Sequence, residues 1–267
     1  MGVFHLIRFT IKSQNMMNKK HSSLTYRHPE LYEQVYQDSE NKRAKMFQEI
    51  IAKNLNHDPT SILDIGCGTA RDIGYLVNFY PDCTGIDYLE QNVNFAKSQY
   101  PASNFQHGDI RTRQLERSFD VIICSGATLC HLSETEDIKK AFKTFANHAH
   151  KGTLLILGVY NAFLYVGNDH NHFEQEIPSG NYAGKSHSIF EFTQLEQKLN
   201  VKRIWDIPNL DDSEKEEYFE LRLFSPMELE YYLNDFGFKV LEKFDLSKGK
   251  KTHPLSCTLF IVSQFYN

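Results

Sequence analysis

The chain has no excess of positive charge, no paired cysteine spacing and no apolar run long enough to cross a bilayer. Its 29 Lys and Arg stand against 34 Asp and Glu, a formal net charge of -5. That balance offers no basic surface to hold a polyanion, so nucleic acid is not expected as a partner. The five cysteines are odd in number and include no C-x-x-C pair. Cys67, Cys83 and Cys124 fall in or beside predicted strands and read as small buried side chains of a reducing, cytoplasmic compartment. The apolar run from Val3 to Ile11 is short and interrupted, and no small-residue cleavage site follows it, so no membrane association is expected. Position 6 is Leu6, where a myristoylation pattern needs Ser or Thr. Residues 1–25 therefore read as a disordered tail, with Met16 or Met17 as alternative starts. No internal repeat, low-complexity block or cluster with metal-ligand spacing is present.

What the chain does have is enough apolar material, 41% of 267 residues, for one sizeable α/β domain with an insertion. The organising stretch is Ile62-Leu63-Asp64-Ile65-Gly66-Cys67-Gly68-Thr69-Ala70-Arg71. A short apolar run ends in an acid, and Gly66 and Gly68 let the backbone turn sharply before a helix begins. The third glycine of the dinucleotide fingerprint would fall at Arg71, so the glycines alone decide little. About 20 residues on, Cys83 to Asp87 reads as a second strand with an acid at its tip, placed to accept hydrogen bonds from ribose hydroxyls. Asp109 follows the run Phe105 to Gly108, and Phe119 to Cys124 reads as a fourth, buried strand. Helices are predicted over Asp72 to Tyr80 and Glu90 to Ser98, and this alternation implies a parallel sheet with right-handed crossovers.

Thr153 to Val159 reads as a fifth strand, after which Tyr160 to Leu223 interrupts the alternation. A structureless loop of that length is not expected, and three antiparallel strands are predicted, Ser188 to Thr193, Val201 to Ile207 and Tyr218 to Phe224. Ser225-Pro226 starts a further helix that Gly237 ends, and strands Phe238 to Leu246 and Leu259 to Gln264 close the chain. Upstream of the first strand, helical spacing marks residues 26–58, with Pro29 suited to a first turn.

This order of strands, glycine turn and acids resembles the class I S-adenosylmethionine-dependent methyltransferases over roughly residues 59–160, and more loosely beyond. The resemblance implies a doubly wound, mostly parallel, seven-stranded Rossmann-like sheet. It divides the chain into a helical lid (26–58), a cofactor-binding core (59–159), an insertion for substrate or dimerisation (160–223) and a C-terminal part of the core (224–267). It implies S-adenosylmethionine as cofactor, with Asp64, Gly66, Cys67 and Gly68 against its methionine end, Asp87 on the ribose, and Asp109 and Ile110 bordering the adenine. Tyr88 and Cys124 join this cofactor-binding set. Ala70 stands where the family often has a further glycine. Tyr32 and Tyr36 of the lid, with Tyr160 and Trp205 of the insertion, are the implied acceptor-binding residues.

Ser125 to Leu132 lacks the Asn-Pro-Pro-Tyr or Asp-Pro-Pro-Tyr run of nucleic-acid base amino methylases. It resembles instead the loop of small-molecule N-methyltransferases acting on amino sugars and on glycine, which places a small-molecule acceptor ahead and N-methylation ahead of O-methylation. His131 in that loop is the candidate catalytic residue. Ser133-Glu134-Thr135-Glu136 reads as a capping box, so His131 is expected just outside a positive helix end that favours neutral imidazole, able to act as a base or to hold the nucleophile in line. No metal is implied. The competing readings are a protein or RNA methyltransferase, and a non-catalytic cofactor-binding scaffold; a homodimer through the insertion is compatible with any of them.

Overall fold

The computed structural model describes residues 23–166, 171–247 and 258–267. The chain opens with helices α1 (Leu24–Arg27), α2 (Pro29–Val35) and α3 (Lys42–Asn54). Alternating elements follow: β1 (Ser61–Ile65), α4 (Arg71–Leu76), β2 (Asp82–Asp87), α5 (Glu90–Gln99), β3 (Asn104–His107), β4 (Phe119–Cys124), α6 (Thr135–Asn147) and β5 (Ala149–Val159). A 3-10 turn, Thr128–His131, lies between β4 and α6. The insertion contributes β6 (His172–Ile177), β7 (Gly184–Thr193), β8 (Lys198–Asp206) and β9 (Glu216–Arg222). The chain ends with α7 (Pro226–Asp235), β10 (Phe238–Asp245) and β11 (Leu259–Phe265).

The main sheet has seven strands in the order β10-β11-β5-β4-β1-β2-β3. β1 pairs in parallel with β2 on one side and β4 on the other, so the winding reverses at β1. Such a switch opens a crevice at the carboxyl ends of the strands. β11 runs antiparallel to both β5 and β10, the one break in an otherwise parallel sheet. Every residue of β1 is buried, as expected for a strand covered on both faces. Phe47, Ile51, Ile73, Leu76 and Val93 cover one face against Ile62, Val121, Ile123 and Ile156. Ile138, Phe142, Phe145, Leu229 and Leu233 cover the other against Leu63, Ile65, Ile122 and Leu155.

Several sequence-level expectations are corrected. The insertion forms four antiparallel strands in the order β6-β7-β8-β9, not three. β6 reads HFEQEI with an alternating burial pattern. Its Glu and Gln are poor strand formers, and pairing with β7 overrides that local weakness. The tail reading of residues 1–25 fails at its end, since Leu24 and Thr25 are buried within α1; residues 1–22, Met16 and Met17 included, lie outside the described residues. Helix α4 stops at Leu76, short of Tyr80, where the Asn78 side chain donates to the carbonyls of Gly74 and Tyr75 at 3.3 and 2.9 Å. Side-chain amides that satisfy terminal carbonyls in this way end helices. The Ser133 capping box does not form either: the residue capping α6 is Glu134, with no side-chain cap bond, and the Ser133 carbonyl instead accepts from Arg222.

The lid is not a separate flap. Leu24, Leu31 and Val35 pack with Ile177, Trp205, Ile207 and Leu210 of the insertion in a third apolar cluster. Trp205 is 1% exposed and fills its centre as a packing residue, not as a wall of an open pocket. Trp205→Ala should cost about 3–5 kcal/mol of unfolding free energy through the cavity it leaves; urea denaturation measures this, and a loss under about 1 kcal/mol would show that the ring packs loosely.

Candidate active site

The glycine turn is built as its residue types require. Gly66 has φ +80° and Gly68 φ +55°, and Ala70 shares the left-handed region at φ +61°. A methyl group on Gly66 would lie 2.2 Å from Thr128 Oγ1, so the backbone here passes directly under the loop that follows β4. The N–H groups of Gly66 and Cys67 donate to the Ile86 carbonyl at 2.7 and 3.0 Å. Gly68 N–H donates to Asp87 Oδ2 at 2.8 Å. Asp87 also accepts from Leu89 N–H at 2.9 Å and Asn92 Nδ2 at 3.2 Å. Three donors leave part of its acceptor capacity open toward the crevice. Burial raises the Asp87 carboxyl above its ordinary range, and these hydrogen bonds oppose the rise.

Beneath the turn lies a group of buried acids. Asp64 is 3% exposed and Asp72 4% exposed, and each keeps one oxygen, Oδ1, with no hydrogen-bond partner. Burial, then the neighbouring Asp72, push the Asp64 carboxyl well above the usual carboxylate range, and Arg43 opposes them. Arg43 pairs with Asp72 at 2.8 Å. Arg71, at the start of α4, donates to Glu33 at 2.7 Å and to the Tyr36 carbonyl at 2.5 Å, which fastens the lid to the glycine turn. Glu33 Oε1 is likewise buried without a donor. Orphaned buried oxygens are costly, and three lie beside one turn.

Upstream of β1, Tyr26, Tyr32 and Tyr36 form a run of rings with centroids 6.1 and 4.9 Å apart. Tyr26 meets the His131 ring edge-on at 5.2 Å and 84°. His131 sits at the end of the 3-10 turn, and burial lowers its imidazole to about 4. Desolvation favours the neutral imidazole here, and not the helix end, whose capping box is absent. Behind the tyrosines, Arg203 donates to Ser188 Oγ at 3.0 Å and to Ser23 Oγ and Glu217 Oε1 at 3.3 Å each. Its charge also acts on Tyr36, Tyr26 and Tyr160.

The structure thus brings together Asp64, Gly66, Cys67, Gly68 and Asp87 around the turn, while Tyr36 and Tyr32 lead to Tyr26, the ring that meets His131. Tyr160 is 4% exposed, and its N–H donates to Cys130 Sγ at 3.5 Å. Cys124 is buried at the end of β4, and Ile110 is 9% exposed. Tyr88 is 62% exposed, on the rim and not in the crevice. Asp109 is already held by Arg111 through contacts of 2.5 to 3.0 Å, which lower its carboxyl. Tyr26, Arg43, Asp72, Arg203 and Glu217 were not singled out from the sequence. Tyr26 lies six residues before Tyr32 and could have been weighed with it; the others carry no local signal. A surface concavity of about 390 Å³, lined by Arg111, Gln114, Lys140, Lys143, Thr144 and Asn147, contains none of these groups.

An imidazole lowered from its ordinary 6.5 to about 4 is held neutral by the fold. An unfolded chain binds that proton below pH 6.5, so this group's share of stability is complete above 6.5 and is lost as pH falls toward 4. Proton NMR of the His131 ring should show no titration between pH 8 and 5.5; a midpoint near 6.5 would place the ring in water.

Residues 62–152 match the family model described as a methyltransferase domain. The chain is 23% identical over 107 residues to the dTDP-3-amino-3,4,6-trideoxy-alpha-D-glucopyranose N,N-dimethyltransferase of Streptomyces venezuelae, covering 40% of this chain and 45% of that protein. It is 25% identical over 175 residues to the malonyl-(acyl-carrier protein) O-methyltransferase of Priestia megaterium, covering 64% of this chain and 62% of that protein. The chain thus spans less than two thirds of the length of these curated relatives. Among solved structures, an amino pentose methyltransferase from Micromonospora echinaspora, solved with S-adenosylmethionine bound and involved in calicheamicin biosynthesis, superposes with a TM-score of 0.72 at 18% identity, covering 91% of this chain and 99% of that one. Residues 62–152 thus carry a methyltransferase domain, and the strand order and insertion described above share the fold of that solved methyltransferase.

Proposed function

We propose that the chain transfers a methyl group from S-adenosylmethionine to the amine of a small-molecule acceptor. The observation that carries this reading is the set of orphaned oxygens on Asp64, Asp72 and Glu33 beneath the glycine turn. The carboxyl oxygens left without donors suit the ammonium of the cofactor's methionine end, and Arg43 and Arg71 beside them suit its carboxylate. Asp87, at the tip of β2 with acceptor capacity to spare, suits the ribose hydroxyls. When bound there, the cofactor supplies an electrophilic methyl on a sulfonium, which needs little covalent help from protein.

The chain's own contribution is then to exclude water, aim the nucleophile and manage one proton. The lid, clamped by Arg71, closes over the turn. An imidazole at about 4 is a weak base at neutral pH, poorly matched to deprotonating a hydroxyl during transfer. It is well matched to accepting a hydrogen bond from a neutral amine and so holding its lone pair in line. His131 therefore acts as a positioning group, and N-methylation is favoured over O-methylation. The relatives named for amino sugars support an amine acceptor, while the O-methyltransferase keeps the question experimental.

Calorimetric titration with S-adenosylhomocysteine tests the cofactor reading: micromolar binding is expected, with none for NAD. Gly66→Ala, whose methyl would overlap Thr128, should weaken that binding at least about tenfold. His131→Ala should lower turnover of an accepted amine by about 10- to 100-fold, with cofactor affinity within about twofold. Equal losses in both would place His131 in cofactor binding.

A further inference from the structure

Helix α1 is a single turn, Leu24–Arg27, too short to persist without tertiary support. It nevertheless carries Tyr26, the ring that meets His131. Its support comes from the insertion, 193 residues along the chain. Glu217 on β9 is 6% exposed; its Oε2 accepts the Leu24 N–H at 2.5 Å and its Oε1 accepts the Ser23 hydroxyl at 3.1 Å. A carboxylate on the first N–H of a helical turn satisfies an otherwise orphaned donor and the positive end of the turn together. Glu217 is in turn held by Arg203 at 3.3 Å. The Arg203 guanidinium lies over Trp205 and Phe219, with ring centroids at 5.1 and 5.4 Å, and also hydrogen-bonds Tyr36.

We propose that Glu217 and Arg203 are positioning residues for methyl acceptance, gripping α1 from the insertion so that Tyr26 stands over His131 and shields it from water. The proposal rests on the methyltransferase reading above. Its physical content is that acceptor insertion and lid close as one body, with a buried ion pair as the fastener. Breaking a buried pair by removing one partner leaves an uncompensated charge, whereas replacing both by apolar groups is often tolerated. The informative variant is therefore the double change Arg203→Met with Glu217→Leu. It removes the grip on Leu24 and Ser23 without stranding a charge.

Tyr26 from α1 meets the His131 ring edge-on, Cys130 lies beside it in the turn, and β9, packed on that turn, carries Glu217, Glu220 and Arg222, the last donating to the Ser133 carbonyl. Desolvation is the cause that lowers the imidazole. Proton NMR titration of His131, assigned with His131→Ala, reads the shielding without any acceptor in hand and can be run with or without S-adenosylhomocysteine. In the double variant the imidazole should titrate at least about one pH unit higher than in the parent, toward the value in water. Glu217→Gln, which keeps an oxygen for the Leu24 N–H, should stay close to the parent. Turnover of the double variant should fall at least about tenfold, with S-adenosylhomocysteine affinity within about twofold. An unchanged His131 titration in a double variant that still unfolds cooperatively overturns the proposal. If that variant does not fold, Ser23→Ala decides by the same titration: an upward shift of about half a unit supports the grip, and no shift overturns it. Absence of S-adenosylhomocysteine binding in the parent would count against the methyltransferase reading alone, because the free protein still reports the shielding.

Discussion

The structure depends on one fold-back of the backbone: the N–H groups of Gly66 and Cys67 both donate to the Ile86 carbonyl, and Gly68 N–H donates to Asp87. These bonds join the end of β1 to the end of β2 where the winding of the sheet reverses, and they demand positive φ at Gly66 and Gly68. With that turn in place the acids beneath it are buried, Arg71 emerges at the start of α4 facing the lid, and Thr128 is pressed against the turn from the next loop. A side chain at Gly66 would disturb the last of these, because its methyl would occupy the space of Thr128. The crevice is thus set by backbone geometry before any side chain acts in it.

Around the turn the electrostatics divide into two halves of different character. The cofactor half is rich in acids, some unsatisfied, with Arg43 and Arg71 as their only partial compensation nearby among the described residues. The half around His131 is aromatic, with desolvation lowering the imidazole and the buried pair Arg203–Glu217 cancelling its own charge. A cationic donor and a neutral nucleophile would meet across such a boundary with little repulsion.

Much of this was legible in the sequence, for reasons that differ from element to element. The glycine turn could be read because only glycine adopts its backbone angles without strain. Asp64 and Asp87 could be read because acids at the ends of apolar runs have few other uses. The strand order after β1 followed from period and length. β6 was missed because its six residues offer two apolar side chains and its stability comes from its neighbour. The end of α4 was misplaced because Asn78 satisfies the terminal carbonyls earlier than Pro81 could stop the helix. Trp205 was assigned to a pocket wall because an aromatic in an insertion looks the same whether it faces a ligand or a neighbouring helix. Its neighbours Leu24, Leu31 and Val35 lie far away in the chain.

The sequence by itself determined the parallel core, the position of the cofactor turn and the presence of a structured insertion. These rest on local periodicity and on glycine's backbone freedom, which act over a few residues. Tertiary structure alone decided which tyrosine meets His131, why that imidazole is neutral, and that a one-turn helix is held by Glu217 across a separation of 193 residues. Desolvation and ion pairing are properties of neighbours in space, and no spacing along the chain encodes them until packing has chosen those neighbours.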